Sequence, residues 1–289
     1  MSFTIKNGTL RHQNRAVEQI ASTFTDGPFA APPRIVVMHY TAGAQARSSA
    51  EWFRNSANPG ASAHVVVDRD GSVIQCVAFD TIAQHAGRSR WRNSAGETLI
   101  GLNATSFGIE LANWGNLHAS GTGWASYTGV AIPDPVIAVH RNGNPDGSRK
   151  PIGWERFAPA QIDTAAAIVR ALIASFAITE IVGHDDIAPV RKSDPGPAFD
   201  MARFRTRVFG GRSEQGDALI RVSPESGLNL RSGPGTHFSV SELLPRGTLL
   251  EEVEVEGNWV QVTVIDAAGR PRASGWVHRR FTEPATGPA

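Results

Sequence analysis

Cysteine is nearly absent from this 289-residue chain, which has the single thiol Cys76. That excludes an intramolecular disulfide and leaves histidine and carboxylate as the ligands of any metal site. Cys76 sits in the apolar run SVIQCVAF and reads as a buried packing residue. Long apolar runs are missing too, so no membrane span is expected. The first twenty residues, MSFTIKNGTLRHQNRAVEQI, lack an apolar core of signal-peptide length, so no ordinary secretory signal is expected. An excess of one charge is also missing. Lys and Arg number 28 against 27 Asp and Glu, and a net charge of +1 does not point to nucleic acid. What remains is the composition of a soluble globular protein, 41% hydrophobic and 19% charged, at a length that suits roughly two domains.

The first 209 residues alternate strand and helix signals. RIVVMHY (34–40) is a β-branched run after two prolines and reads as a buried strand. SSAEWFRNS has helical spacing behind a serine start signal. SAHVVVDRDGSVIQCVAF reads as two strands joined by a turn at Asp70-Gly71, and TSFGIELAN as another strand. PAQIDTAAAIVRALIASFAI opens with proline and places Ile162, Val169, Leu172, Ile173 and Phe176 on one helical face. EIVGH returns as a strand. This alternation predicts an α/β domain, a mixed central β-sheet flanked by helices, over residues 1–209. The Gly/Pro/Asn-rich stretch from Trp114 to Trp154 is too long for a plain connection and reads as a lip beside a cleft. Residues 210–217 read as a linker. From 218 to 283 short strands alternate with Gly, Pro and Asn and predict a small all-β barrel, with a tail over 284–289.

IVGHDDIAPVRKSDPGPAFD (181–200) raises the chemical question. His184 ends an apolar run, and ten residues later Asp194 opens the sequence Asp-Pro-Gly-Pro. Proline fixes its own φ and restricts the residue before it, so Asp194 has little backbone freedom. A metal ligand requires such stiffness, because ligand distances must hold within about 0.2 Å. His39 likewise ends the apolar strand IVVMH. Histidines at strand ends can converge at one edge of a sheet. Two histidines and one carboxylate, with a fourth position for water, suit a catalytic zinc. From residue types alone, His39 and His184 read equally well as hydrogen-bonded core histidines.

VVMHYTAG, SAHVVVDRDGSVIQCV, QHAGRSRW, FGIELAN and VGHDDIAPVRKSDPGPAFDMARF fall in one order. In that order they resemble the zinc-dependent N-acetylmuramoyl-L-alanine amidases of the type 2 amidase family, relatives of the peptidoglycan recognition proteins. Similarity is strongest to the branch that acts on anhydromuramoyl peptides. The resemblance implies one Zn2+ per chain, held by His39, His184 and Asp194. It implies Glu110 as the acid–base residue, Lys192 as the oxyanion partner, and His85 and Trp91 in the substrate groove. His64 joins them as a substrate-side or supporting histidine. Asp185 and Asp186 read as capping or hydrogen-bonding groups, and His118 and His140 are given no role. The implied reaction is hydrolysis of the amide between N-acetylmuramic acid and L-alanine.

LNLRSGPG, NWVQV and GWVH, within residues 218–283, resemble bacterial SH3-like domains, which commonly bind cell-wall glycan or peptide. Trp259 and Trp276 read as core or groove residues. The expected partner is peptidoglycan or muropeptides. An added wall-binding module favours polymeric substrate, so the expectation is a lytic, endolysin-like enzyme made in the cytoplasm and reaching the wall by phage-type release or specialised secretion. The alternatives are recycling of soluble anhydromuramoyl peptides and a non-catalytic peptidoglycan-binding protein.

Overall fold

A computed structural model describes residues 2–209, 219–266 and 271–285. The chain divides into two compact units, Met1–Met201 and Ala202–Ala289. The linker expected at 210–217 lies outside the described residues. The helix Met201–Phe209, which the sequence reading placed in the first domain, begins at the division. Its Thr206 Oγ1 donates to the Val253 carbonyl at 2.8 Å.

The first unit is built on a six-stranded mixed sheet. Its strands run in the order Glu180–Gly183, Ile35–Tyr40, Ser106–Leu111, Val65–Val67, Val73–Gln75, Glu18–Gln19. The four strands from Glu180–Gly183 to Val65–Val67 are parallel, and Val73–Gln75 returns antiparallel through the Asp70-Gly71 turn. Parallel strands are covered on both faces and therefore read as continuous apolar runs rather than alternating ones. Ile35, Val36, Val37 and Met38 are all buried, as are Val65, Val66 and Val67. Each such side chain contributes roughly 1.5–3 kcal/mol by leaving water. Phe107 packs among Phe29, Phe79 and Phe176 at centroid distances of 5.5, 5.4 and 4.9 Å.

Two helices flank the sheet. Ala46–Trp52 starts two residues earlier than SSAEWFRNS predicts, because the Asp68 carboxylate accepts the Ala46 N–H at 2.7 Å and anchors its first turn. Pro159–Ser175 carries Pro159 at its first position as expected. Its buried face differs from the predicted one. Gln161, Ala165, Ile168, Val169 and Leu172 are buried, whereas Ile162 and Ile173 are half-buried and Phe176 lies beyond the last turn. Alanines let the helix approach closely. The Gln161 amide is satisfied there by donating to the carbonyls of Val67 and Ala112, at 2.9 and 3.0 Å.

The stretch from Trp114 to Trp154 is structured. It forms a three-stranded piece, His118–Ser120, Gly123–Ala125 and Ala131–Ile132, and a pair, Val136–Ala138 with Ile152–Trp154. Its two ends close on each other, with Leu117 N–H on the Gly153 carbonyl and Glu155 N–H on the Gly115 carbonyl, at 2.8 and 2.9 Å. Glu155 completes this neck by accepting Arg69 and the Trp114 N–H.

Beyond its first helix, the described residues of the second unit form strands and one short 3-10 turn, Arg279–Phe281. One seven-stranded sheet runs Val240–Leu244, Leu228–Arg231, Pro271–His278, Trp259–Ile265, Leu249–Glu256, Leu219–Val222, Thr282–Pro284. Its core holds Val222, Leu230, Leu244, Leu250, Val260, Val262, Val264 and Val277. This is the all-β arrangement that the short strands predict, in keeping with the SH3-like resemblance.

Candidate metal centre

Three strands that are neighbours in the sheet end at one edge, where α/β proteins usually carry their sites. His39 is the fifth residue of Ile35–Tyr40. His184 directly follows Glu180–Gly183 and opens the short helix His184–Ile187. Asp194 returns to the same edge because the Asp185 N–H donates to the Asp194 carbonyl at 2.8 Å. The outcome is a triangle of donors. His39 Nδ1 lies 2.9 Å from His184 Nδ1 and 2.9 Å from Asp194 Oδ2, and His184 Nδ1 lies 3.0 Å from the same oxygen. All three residues are buried.

The surrounding hydrogen bonds decide what that triangle is for. Ser106 donates its hydroxyl proton to the Leu102 carbonyl at 2.6 Å, so its oxygen can only accept from His85 Nε2, 3.3 Å away. His85 Nδ1 is then an acceptor and takes the proton of His39 Nε2 at 3.1 Å. His39 Nδ1 is left as a bare lone pair. His184 Nε2 lies 3.2 Å from the Ala86 carbonyl and 3.3 Å from the Arg191 guanidinium, an acceptor and a donor respectively; with its proton on the carbonyl, His184 Nδ1 is bare as well. Arg191 donates to the same carbonyl at 3.0 Å. Two nitrogen lone pairs and a carboxylate oxygen therefore converge within hydrogen-bond distance. Such a donor set fits a divalent cation, and the bonds behind it are of the kind that orient metal-bound histidines.

Electrostatics agree with a neutral His39 ring and an ionised Asp194 carboxylate. Burial, then the charge of His184, lowers the His39 pKa to about 4. Burial also lowers His85, with His39 the next cause. Burial opposes ionisation of Asp194, yet the contacts with His184, then with His39, hold its carboxyl below the usual range.

Glu110 stands beside this cluster because of strand register. In the parallel pair it lies opposite His39, so both side chains leave the same face one strand apart. Its Oε2 is buried without a hydrogen-bond partner. Burial, then the Asp194 charge, pushes its pKa up to about 8 while Lys192 pulls against the rise. Lys192 is thus close enough for its charge to be felt at Glu110. Ser193 Oγ and the Tyr40 hydroxyl bond at 2.9 Å, tying the Asp194 turn to the His39 strand.

The other sequence candidates take different places. His85 is buried against the back of His39. It fits there because Gly108 has no side chain: a Cβ on Gly108 would meet His85 Cγ at 2.4 Å. His64 is fully buried, accepting the Gly108 N–H at 3.0 Å and donating to the Thr81 carbonyl at 3.1 Å. Burial lowers its pKa to about 3. Trp91 is half-buried against the cluster of Ile35, Val37 and Val182, with its indole N–H on the Glu180 carboxylate at 2.6 Å. His118 is exposed. Cys76 is buried as expected, and burial, then Glu110, pushes its thiol up to about 12.

His140 corrects the sequence reading, which gave it no role. It is buried, and its Nε2 lies 3.0 Å from the Asp185 carboxylate beside His184. Ser106 and Ala86 were also missed. One acts through a hydroxyl four strand positions before Glu110, the other through a backbone carbonyl that residue type does not reveal. The one signal for His140 was the unusual pair Asp185-Asp186 next to a strand-end histidine.

A mixed sheet flanked by helices, with three converging metal donors at its parallel edge, defines an α/β protein built around a candidate metal centre. The chain belongs to the N-acetylmuramoyl-L-alanine amidase family, whose model matches residues 29–197, and the bacterial SH3 domain model matches residues 226–283. It is 35% identical over 159 residues to the 1,6-anhydro-N-acetylmuramyl-L-alanine amidase AmpD of Escherichia coli (strain K12), across 54% of this chain and 63% of that protein. It is 33% identical over 188 residues to the N-acetylmuramoyl-L-alanine amidase AmiD of the same strain, across 63% of this chain and 56% of that one. The chain thus spans less than two thirds of the length of either relative. A crystal structure of an AmpD derivative aligns with a TM-score of 0.47 at 27% identity, covering 71% of this chain and 98% of that one.

Proposed function

We propose that this protein is a zinc-dependent amidase that hydrolyses the bond between N-acetylmuramic acid and L-alanine, with one zinc per chain held by His39, His184 and Asp194. The observation that carries the reading is the bare donor triangle with the unpartnered Glu110 carboxylate beside it. Zinc in such a site supplies Lewis acidity to a water and to the scissile carbonyl. Glu110 takes a proton from the attacking water and returns it to the departing amine. Burial raises the proton affinity of this carboxyl above the ordinary range, which suits a group that must take a proton and return it. Lys192 offers its ammonium to the oxyanion that develops at the carbonyl. His85 and Ser106 hold the His39 tautomer, and Ala86 holds that of His184. Trp91 contributes to the groove wall.

The relatives bear on substrate. The 35% identity to a 1,6-anhydro-N-acetylmuramyl-L-alanine amidase shifts the reading from the lytic role expected above towards soluble anhydromuramoyl peptides. The SH3 domain supports a second reading, retention on polymeric wall. A groove of about 320 Å³ in that unit, lined among others by Trp259, His278 and Phe281, would suit such a contact. The test is turnover of an anhydromuramoyl peptide against purified sacculi, each with and without chelator. A soluble-substrate kcat/KM at least about tenfold higher, lost with chelator, is expected. Release of no L-alanyl peptide from either substrate by the metal-loaded protein would overturn the amidase reading.

A further inference from the structure

The stretch from Trp114 to Trp154 does more than border the site. Its neck is closed by backbone hydrogen bonds and by Glu155. Residues 140–142 reach the segment that carries His184, and Trp154, at the neck, reaches the one that carries Asp194. His140 Nε2 lies 3.0 Å from Asp185 Oδ2, and Arg141 Nη2 lies 2.8 Å from Asp185 Oδ1 and 2.7 Å from Asp186 Oδ1. The Asn142 side-chain amide donates to the Asp185 carbonyl at 2.8 Å. Three consecutive residues of the insertion thus grip the residue that follows His184. Asp185 in turn donates its N–H to the Asp194 carbonyl at 2.8 Å.

The second segment is held from the same side. Trp154 is buried and packs on the turn behind Asp194 so closely that a Cβ on Gly196 would meet its ring at 3.0 Å. The Trp154 indole donates to the Ala138 carbonyl at 3.2 Å, and His140 lies against its ring with centroids 5.7 Å apart. His140 therefore touches both parts of the clamp, Asp185 on one side and Trp154 on the other.

We propose that this insertion is a positioning element for the metal centre. Through His140, Arg141 and Trp154 it fixes the backbone that carries His184 and Asp194, so metal affinity depends on residues that never touch the metal. The proposal rests on the metal-centre reading above. Its physical basis is that ligand atoms must hold their places to within about 0.2 Å, and groups that orient ligands typically change metal affinity by 10–100-fold when removed.

The test uses the full chain in three variants: His140→Ala, Arg141→Ala and, as a control elsewhere in the insertion, Val130→Ala. Arg141 is half-exposed and Val130 is exposed, so neither truncation empties the core. Zinc affinity is measured by competition with a chromophoric chelator, the visible spectrum is recorded with cobalt in place of zinc, and the melting midpoint is taken on metal-free protein. His140→Ala and Arg141→Ala should each bind zinc about tenfold or more weakly and change the cobalt bands. The metal-free midpoint of Arg141→Ala should stay within about 2 °C of the parent. Val130→Ala should match the parent throughout. Parental zinc affinity and cobalt bands in a folded Arg141→Ala protein would overturn the positioning role and leave the metal centre standing. A parent protein that binds no zinc, or a His39→Ala variant that binds it as well as the parent, would overturn both.

Discussion

Glu110 keeps a carboxylate oxygen buried and unpartnered, an arrangement that costs roughly 1–3 kcal/mol and persists here beside three metal donors. Replacing it by glutamine keeps the shape and removes the proton exchange. Turnover of a muramoyl peptide by Glu110→Gln should fall by about 10²–10⁴, while metal analysis still finds one zinc per chain. The same substitution should alter stability in a defined direction. The Glu110 pKa is raised from 4.5 to about 8 in the fold, so the folded chain keeps a proton that the unfolded chain releases. Folding stability of metal-free protein is therefore lost as pH rises from about 4.5 to 8. Denaturant titrations of the chelated proteins should show Glu110→Gln gaining on the parent, by on the order of 2–4 kcal/mol, across that window. Lys192→Ala should cost about 10²–10³ in kcat with metal content unchanged. At this scale the sequence was informative about residue types. His39, His184 and Asp194 stand together, and Glu110 and Lys192 stand close by. The proton directions were illegible, because they are set by Ser106, by the Ala86 carbonyl and by the stacking of one histidine behind another.

Between elements, the decisive fact is how closely the QHAG segment crosses the strand Ser106–Leu111. His85 occupies the space where a side chain at 108 would stand. Gly108→Ala should push the His85 ring off the face, break its 3.1 Å contact with His39 Nε2, and destabilise the fold by about 1–3 kcal/mol. Denaturant unfolding and zinc titration of the same variant should both record the loss. The apolar runs IVVMH, HVVV and EIVGH foretold strands, though not their parallel direction, because burial on both faces leaves a continuous hydrophobic signature. The insertion was legible only as a long polar loop. Its strands are two or three residues long, too short for periodicity to register, and its meaning depends on His140 meeting Asp185 across 45 positions of sequence. The helix face was misjudged for a related reason. Counting large apolar residues favoured Ile162 and Ile173, whereas close packing favoured alanines and a glutamine whose amide finds two strand carbonyls.

For the whole molecule, buried histidines set the acid limit. His39 and His64 have pKa values near 4 and 3 in the fold, below the 6.5 of an exposed ring, and His85 is lowered as well. The unfolded chain binds protons that the folded chain refuses, so stability is present above about pH 6.5 and lost as pH falls towards 4. Together with the opposite slope from Glu110, this predicts that the melting midpoint of chelated protein peaks between about pH 5.5 and 7. A midpoint that kept climbing below pH 5 would contradict the neutral buried rings. The change in punctuation near residue 210 marks where helical spacing stops and Gly- and Pro-bounded strands begin, whereas the compact units divide between Met201 and Ala202. The cross-strand pairing of Glu110 with His39 has a last consequence. The proton-handling group and the first ligand are spaced by the backbone ladder itself, about 4.8 Å from strand to strand. Evolution cannot retune that gap by swapping side chains without re-registering the middle of the sheet, so catalytic geometry and the fold of the first unit should vanish in a single transition, with no half-melted form of that unit that still turns over.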